Sequence, residues 1–349
     1  MTGRIRQCAA FPKQQFSKLR MAKAVLATAA LFCGVCGAQR KVDKKSFQFR
    51  SSVPVPATNK MTPARVELGK MLFFDPRLSG SKWISCATCH NPAMGWSDGL
   101  PTAIGSGMNS LKRATPSIVN SAFNELQMWD GRFHSLEEQV LSPMQAPGEM
   151  NGNMDEILSH LNSLPGYVQA FDRAYPGEGV SKNTVAKALA SFERTIISKG
   201  APFDAWVHGK TNAIGPSAQR GFALFTGKAD CAACHSGPNF TDEGFHNIGL
   251  NSGDDVGRFA KQPIKISKGA FKTPTLRDIA LTAPYMHNGE YRTLEEVVDH
   301  YDRGGDNKDN LDPSIKPLGL SPREKADLVE FLRTLSGKQV AITVPRLPQ

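Results

Sequence analysis

The chain has 349 residues, 40% hydrophobic and 21% charged, which is typical of a globular protein with room for two domain cores. No apolar run is long enough for a transmembrane helix, and much of the net charge of +10 lies in residues 1–38, which hold six basic and no acidic side chains. The remaining 36 basic residues nearly balance 32 acidic ones, so the charge gives no support to nucleic-acid binding and we expect none.

The first 38 residues predict an export signal. Basic side chains precede an apolar run from Ala24 to Val35, and Gly37 and Ala38 offer a cleavage site of small residues. A permanent anchor is the alternative, but about a dozen apolar residues are too few to cross a bilayer as a helix. Met21 is a second candidate for the start of this signal. We therefore expect a periplasmic protein whose leader is cleaved.

The mature chain predicts helices joined by long irregular connections. Residues 39–60 are polar and contain prolines, which indicates an extended N-terminal segment. Thr62 followed by Pro63 offers an N-cap and a proline at the first helical position. Apolar spacing predicts a helix over 185–197, and a capping box at 321–324 predicts a last helix with Gly337 as its stop. The stretches expected to be loops are 143–153, 200–216 and 249–257.

One unit of sequence occurs twice. Each copy contains a short helical segment with glycine and phenylalanine, then a Cys-x-x-Cys-His motif, then an aromatic residue followed two positions later by aspartate. The first copy comprises 69–73, 86–90 and 96–98, and the second comprises 221–225, 231–235 and 240–242. The duplication predicts two helical domains. We place them at 61–208 and 209–349.

The Cys-x-x-Cys-His motif has a chemical reason. Two thiols add to two vinyl groups of one porphyrin, and the adjacent histidine binds the iron. A redox-active cysteine pair, a zinc site and chance are the alternatives, but His246 does not match finger-like zinc spacing. The motifs use all four cysteines of the mature chain, so none is left for a disulfide. We expect two covalently bound haem c groups, held by Cys86, Cys89 and His90 and by Cys231, Cys234 and His235.

Further landmarks surround the two motifs in a fixed order. They are 72–79 (LFFDPRLS), 129–132 (WDGR), 136–139 (LEEQ), 148–150 (GEM), 273–277 (TPTLR) and 283–287 (APYMH). With the haem motifs, they make residues 61–338 resemble the bacterial dihaem cytochrome c peroxidase and MauG superfamily. The resemblance implies a mostly α fold of two cytochrome c-like domains. It also implies that hydrogen peroxide reacts at the N-terminal haem while the C-terminal haem exchanges electrons.

The resemblance implies roles for three residues near the N-terminal haem. Trp129 matches a tryptophan that lies between the haems, and Gln139 and Glu149 match residues over the peroxide-binding haem. Glu149 is the better candidate for moving a proton between the peroxide oxygens, because a partly buried carboxylate can be tuned to take and return one. A core aromatic at Trp129 and a solvated glutamate at 149 are the alternatives. Pro143 matches a position that shapes the pocket.

The N-terminal haem departs from the peroxidase pattern. Peroxidases that need reductive activation carry a removable histidine ligand in an Ile-Gly-His context, whereas this chain has Ser106 after Ile104-Gly. Serine is a poor iron ligand, so we expect an open position on this haem. His134 is the alternative ligand, although an exposed histidine is the simpler interpretation.

The C-terminal haem departs too, because Tyr301 stands where the peroxidases have a methionine ligand. A capping box of Thr293 and Glu296 predicts a helix start, and one apolar face of that helix carries Leu294, Val297, Val298 and Tyr301. Tyrosine resembles the MauG branch, where it ligates the iron and the two haems store oxidising equivalents for a partner protein. A phenolate favours oxidised iron, whereas a thioether favours reduced iron.

Several alternatives stay open. Tyr301 could pack on the haem while His300, Met286 or His287 binds the iron. The resemblance also implies a calcium ion between the haems, but Ala114 replaces the asparagine that often holds it and leaves backbone carbonyls near 273–275, which weakens the case for this ion.

We expect a peroxide-using oxidoreductase whose donor is a small cytochrome c, a cupredoxin or a protein that it modifies. A conventional cytochrome c peroxidase is the second hypothesis, and a dihaem electron carrier without catalysis is the third. The resemblance permits a monomer or a homodimer.

Overall fold

Helices dominate the part of the chain that the computed structural model describes, which comprises residues 43–49, 52–338 and 341–349. The export signal expected at 1–38 lies outside these residues. The α-helices are α1 Pro63–Phe73, α2 Cys86–Cys89, α3 Leu136–Gln139, α4 Leu141–Gln145, α5 Met154–Ser163, α6 Pro165–Ala174, α7 Lys182–Glu193, α8 Pro202–Val207, α9 Pro216–Phe225, α10 Leu294–Arg303 and α11 Pro322–Arg333. Short 3-10 helices are Lys44–Phe47, Pro76–Leu78, Pro92–Met94, Ser106–Met108, Ser121–Phe123, Cys231–Ala233, Arg258–Ala260, Lys265–Ser267 and Ile279–Leu281.

Strands contribute little. In the described ranges, β1 Phe245–His246 pairs antiparallel with β2 Phe271–Lys272, and the register places Phe245 opposite Lys272. The mostly α prediction is confirmed. No helix of the described residues has the length and apolar character needed to cross a membrane.

Local sequence signals account for where the main helices begin. The Thr62 hydroxyl accepts a hydrogen bond from the backbone N–H of Arg65, and Pro63 occupies the first turn of α1. Capping boxes start α10 at Thr293 and α11 at Ser321, as the sequence predicts.

The helix expected over 185–197 begins earlier and ends earlier. Its start is a capping box of Ser181 and Thr184, and its last helical residue is Glu193. The stop expected at Gly337 is wrong, because α11 ends at Arg333. Gly337 instead lies against the backbone carbonyl of Lys199, where a Cβ atom would clash.

Three stretches without predicted helices contain short ones. α8 lies within 200–216, because Pro202 starts this helix at its first position instead of breaking it. α4 overlaps the stretch 143–153 and ends at Gln145. The N-terminal segment is not fully extended, since it forms a 3-10 turn at Lys44–Phe47. Phe47 is 1% exposed and packs against Phe222 at a ring-centroid distance of 5.6 Å.

The two copies of the repeated unit build two similar helix pairs. Gly69 of α1 lies against the backbone carbonyl of Ala188 in α7, and Gly221 of α9 lies against that of Asp327 in α11. A Cβ atom at either glycine would overlap the facing carbonyl, so the helices approach closely only because the side chain is absent.

Aromatic rings complete each pair. Phe73 contacts Phe192 at 5.1 Å in the first, and Phe225 contacts Phe331 at 5.0 Å in the second. The described residues belong to one compact unit that contains two hydrophobic clusters. One cluster draws its buried residues from 68–196, and the other from 47 and 203–335. The domain boundary between 208 and 209 stays a prediction.

Candidate functional site

Both Cys-x-x-Cys-His motifs form a single helical turn that orients the histidine. The backbone N–H of His90 donates to the carbonyl of the first cysteine of its motif at 2.8 Å, and His235 does the same in the second motif. Nδ1 of His90 lies 3.2 Å from the carbonyl oxygen of Trp96, and Nδ1 of His235 lies 2.9 Å from that of Phe240. A carbonyl can only accept, so Nδ1 carries the proton and Nε2 keeps its lone pair.

These histidines and cysteines fit a covalently bound haem. Burial lowers the pKa of His90 and of His235, which keeps both imidazoles in the neutral form that binds iron. The four motif cysteines are not in disulfides. Each motif therefore offers two thiols for thioether bonds and one imidazole for the iron, and a backbone carbonyl accepts from the imidazole N–H, as is usual for metal-binding histidines.

Two cavities adjoin the motifs. The first has a volume of about 590 Å³ and is lined by residues that include Cys86, Cys89, His90, Trp129, Gln139 and Glu149. The second has a volume of about 190 Å³ and is lined by residues that include Cys231, Cys234, His235, Trp129, Met286 and Tyr301. Every site residue expected from the sequence thus lies on one of the two walls, and Trp129 lies on both.

The segments lining the two cavities repeat each other. A turn closed by a backbone bridge, Gln127 with Phe133 in one and Tyr285 with Tyr291 in the other, precedes a helical segment that begins Leu-Glu-Glu. Residues at the same four spacings in the two segments line the cavities. They are Leu136, Gln139, Val140 and Pro143 in the first, and Leu294, Val297, Val298 and Tyr301 in the second. Tyr301 therefore corresponds to Pro143. The tyrosine offers an oxygen ligand at a position where proline offers none.

Glu149 is held in place by its backbone. Its N–H donates to the carbonyl of Ala146 at 3.0 Å, and its own carbonyl accepts from the N–H of Ser106 at 2.7 Å. Burial raises the pKa of the Glu149 carboxyl, and the positive charge of Arg132 partly opposes this rise. Gln139 shares this wall, and its amide lies 3.5 Å from the sulfur of Met128.

Neither Ser106, which replaces the family's histidine ligand, nor His134, the alternative ligand, lines the cavity of the first haem. Ser106 is not on the wall, and its backbone N–H donates to the carbonyl of Glu149. His134 is exposed, and its backbone N–H donates to Glu138 at 3.0 Å. Neither side chain lines a cavity in the described part of the chain.

The alternatives to Tyr301 differ in what their side chains do. His300 is fully buried, with Nε2 2.9 Å from the carbonyl of Ile248 and Nδ1 3.0 Å from the hydroxyl of Tyr291, so both ring nitrogens are engaged. His287 stacks on Phe271 at a centroid distance of 3.5 Å and lines the second cavity. Met286 lines both cavities and keeps the methionine alternative open.

Trp129 is fixed in the wall between the cavities. Its indole N–H donates to the carbonyl of Ala114 at 2.9 Å, and its own carbonyl accepts from the N–H of Lys272 at 2.8 Å. Its ring lies 6.4 Å from that of His287. The neighbouring Asp130 accepts from Arg113 at 3.0 Å. These contacts hold the indole in the wall that the two cavities share.

The residues near 273–275 do not fit a calcium ion. Ala114 has no side-chain donor, and its carbonyl already accepts from Trp129. The carbonyl of Thr273 accepts from the Thr241 hydroxyl at 2.7 Å, and the Lys272 ammonium lies 3.4 Å from it. The space beside this carbonyl is taken by the Lys272 ammonium, which is paired with Glu243, and this disfavours a divalent cation there.

Three further residues that line the cavities are not among the site residues predicted from the sequence. Lys272 is 6% exposed, lines both cavities and pairs with Glu243 at 2.8 Å. His246 lies on the second wall between Asp242 at 2.8 Å and Asp312 at 2.7 Å.

The third is Glu193, which is buried in the first wall. A signal for it exists, because it lies eight residues after Val185 and four after Leu189, on the apolar face of its helix.

Two similar helical units, each with an oriented Cys-x-x-Cys-His turn beside a cavity, define a two-haem c-type cytochrome. A family profile described as di-haem cytochrome c peroxidase matches residues 63–212, and one described as cytochrome c matches residues 218–336.

Relatives and one solved structure span most of the chain. The methylamine utilization protein MauG of Methylorubrum extorquens is 51% identical over 87% of this chain and 87% of its own. Cytochrome c551 peroxidase of Pseudomonas aeruginosa is 36% identical over 81% of each chain. The crystal structure of a MauG-like protein associated with microbial copper homeostasis shares 31% identity with a TM-score of 0.79, covering 83% of this chain and 94% of its own.

The chain belongs to the di-haem cytochrome c peroxidase and MauG family. It is a haem oxidoreductase, and its cytochrome c domains imply covalently bound haem c.

Proposed function

We propose that this enzyme uses hydrogen peroxide at the N-terminal haem and takes the electrons from a donor protein through the C-terminal haem, in the manner of MauG. The correspondence of Pro143 with Tyr301 carries the proposal. The first helical segment offers no metal ligand where the second offers a phenol. This difference supports an open position on the first haem and an oxygen ligand on the second.

The chain's own residues would hold the two haems. Cys86 and Cys89 would bind the first covalently with His90 on its iron, and Cys231, Cys234 and His235 would do the same for the second, with Tyr301 as its other ligand. When bound, the haems supply redox-active iron that exchanges electrons with peroxide. The orientation of each imidazole by a backbone carbonyl supports these assignments.

Glu149 would act as the acid and base for peroxide. Reduction of one peroxide to two waters consumes two electrons and two protons. The carboxylate of Glu149 would accept the proton of one peroxide oxygen and return it to the other, which would leave as water. The raised pKa of Glu149 supports this role, because a carboxylate with greater proton affinity takes the proton more readily. Gln139 would orient the peroxide through its amide.

Trp129 would connect the two sites. It lies on both cavity walls, and its indole is held rigidly by the carbonyl of Ala114. A rigid aromatic ring between two redox centres shortens each step of electron transfer. We assign the enzyme to the periplasm, with a small cytochrome c, a cupredoxin or a protein to be modified as the donor.

A conventional cytochrome c peroxidase is the second candidate. One observation favours it: Met286 lines the second cavity and could supply the thioether ligand of an electron reservoir. Rapid turnover with reduced cytochrome c would then be the main activity.

The test is to add one equivalent of peroxide to the oxidised, untreated holoprotein and to record the absorption of both haems. The proposal expects both spectra to change without prior reduction, and expects Trp129→Phe to slow the change at the second haem relative to the first. Val55→Ala, at an exposed apolar position, is the control. A protein that reacts only after partial reduction supports the conventional peroxidase, and one that never reacts supports a simple electron carrier.

A further inference from the structure

Glu193 places an unpaired carboxyl group in the wall of the first cavity. Only 5% of this residue is exposed, and its Oε2 atom is buried without a hydrogen-bond partner among the described residues. Polar groups buried in this way are rare and call for an explanation. The residue is also the last of α7, where the helix dipole disfavours a negative charge.

The charges around Glu193 leave it without a counter-ion. The neighbouring Arg194 is engaged in two hydrogen bonds to Glu137, at 2.8 and 2.9 Å. Burial raises the pKa of Glu193 to about 8, with Arg194 lowering it in part and Glu137 raising it further. Cys86, the first thioether cysteine, is close enough for its own thiol pKa to be raised by burial and then by Glu193. The carboxyl and the expected attachment point of the first haem line the same cavity.

We propose that Glu193 is the proton store of the first haem, binding one proton when that haem gains an electron and releasing it when the haem loses the electron. The added electron makes the buried site more negative, and a proton on Glu193 offsets this charge. The electron comes from the donor and the proton from water, so each reduction takes up one of each.

This role differs from that of Glu149. Glu149 transfers a proton from one peroxide oxygen to the other and so supplies none in net terms, whereas the conversion of peroxide to two waters needs two. A neutral acid in the same cavity can supply one of them without diffusion from bulk water. The inference rests on the proposed function only in placing the first haem in this cavity, and its test needs no peroxide.

The test is the midpoint potential of the first haem in the holoprotein, titrated over roughly pH 6 to 10, a range that brackets the raised pKa. Because oxidation of the iron favours the carboxylate, the pKa of Glu193 is lower in the oxidised protein than in the reduced one. Between the two values the potential falls as pH rises, by about 59 mV per pH unit for one proton and one electron.

The matched variants are Glu193→Gln and Glu149→Gln. The glutamine at 193 mimics the neutral acid in shape, and we expect it to remove this slope, while the glutamine at 149 keeps it. A slope that survives Glu193→Gln, or that disappears only in Glu149→Gln, overturns the assignment.

A measurement on the wild-type protein keeps the test decisive if the variant folds poorly. The reduced-minus-oxidised infrared difference spectrum of the wild type should show a carboxylic-acid C=O band gained on reduction, and absence of that band overturns the proposal. Failure of the peroxide reaction with the slope intact would refute the proposed function alone.

Discussion

Replacing Glu149 by glutamine removes a proton-accepting group from the first cavity and keeps the shape of the side chain. The backbone of Glu149 is fixed by hydrogen bonds with Ala146 and Ser106, neither of which involves the side chain. The amide therefore occupies the place of the carboxylate without a proton-accepting group. Loss of a positioned acid–base residue slows a reaction by about 10²–10⁴-fold. This range corresponds to a barrier higher by roughly 3–5 kcal/mol.

The assay is stopped-flow mixing of the oxidised holoprotein with peroxide, followed at the absorption of the first haem across a range of pH. The carboxylate of Glu149 is the active form, and burial raises the pKa of this group. The wild-type rate should therefore rise with pH through a pKa above the ordinary glutamate value and level off beyond it. Glu149→Gln should lose this inflection.

Glu138→Gln is the matched control. Glu138 is an exposed glutamate one residue before Gln139, and its carboxylate accepts from the backbone N–H of His134. Its substitution should leave the peroxide rate within about twofold, since exposed positions away from the site have small effects. A rate for Glu149→Gln within threefold of wild type would refute the assigned role.

Three other substitutions test the ligand and the framework. Tyr301→Phe should change the absorption spectrum of the second haem and leave the first unaltered, whereas an unchanged second spectrum would mean that Tyr301 is not the ligand. Gly221→Ala should lower the free energy of unfolding by about 1–3 kcal/mol, because its Cβ would overlap the backbone of α11, with exposed Ala223→Ser as the neutral control in urea titrations. Burial opposes ionisation of Asp75, but hydrogen bonds from Arg77 and Tyr167 prevail and lower its pKa. Asp75→Asn should therefore cost about 3–5 kcal/mol near neutral pH and progressively less as pH falls below the ordinary aspartate value; an equal loss at every pH would contradict this.

The sequence predicts the parts of the site that local chemistry determines. The capping box at Thr293 sets the phase of α10, and the spacing from Leu294 then brings Tyr301 to the cavity wall. The orientation of the motif histidines is also determined locally, because His90 and His235 bond to carbonyls only a few residues later in the chain.

The rest depends on long-range packing. Lys272 and Glu243 lie far apart in sequence, and nothing nearby shows that a lysine at 272 is buried between two cavities. The position of Trp129 on both walls depends on how the two halves meet. The sequence does not predict α8, because proline is typical both of loops and of the first helical turn. Only the structure shows that Pro202 lies in such a turn.

In the proposed function, the iron of the first haem has an open position and the iron of the second binds an oxygen ligand. Electron paramagnetic resonance of the oxidised holoprotein, recorded before any reductant or peroxide is added, tests it most directly. We predict a high-spin signal from the first haem and a second signal that is altered in Tyr301→Phe. Two low-spin irons, each with six positions filled by nitrogen or sulfur donors, would contradict the account.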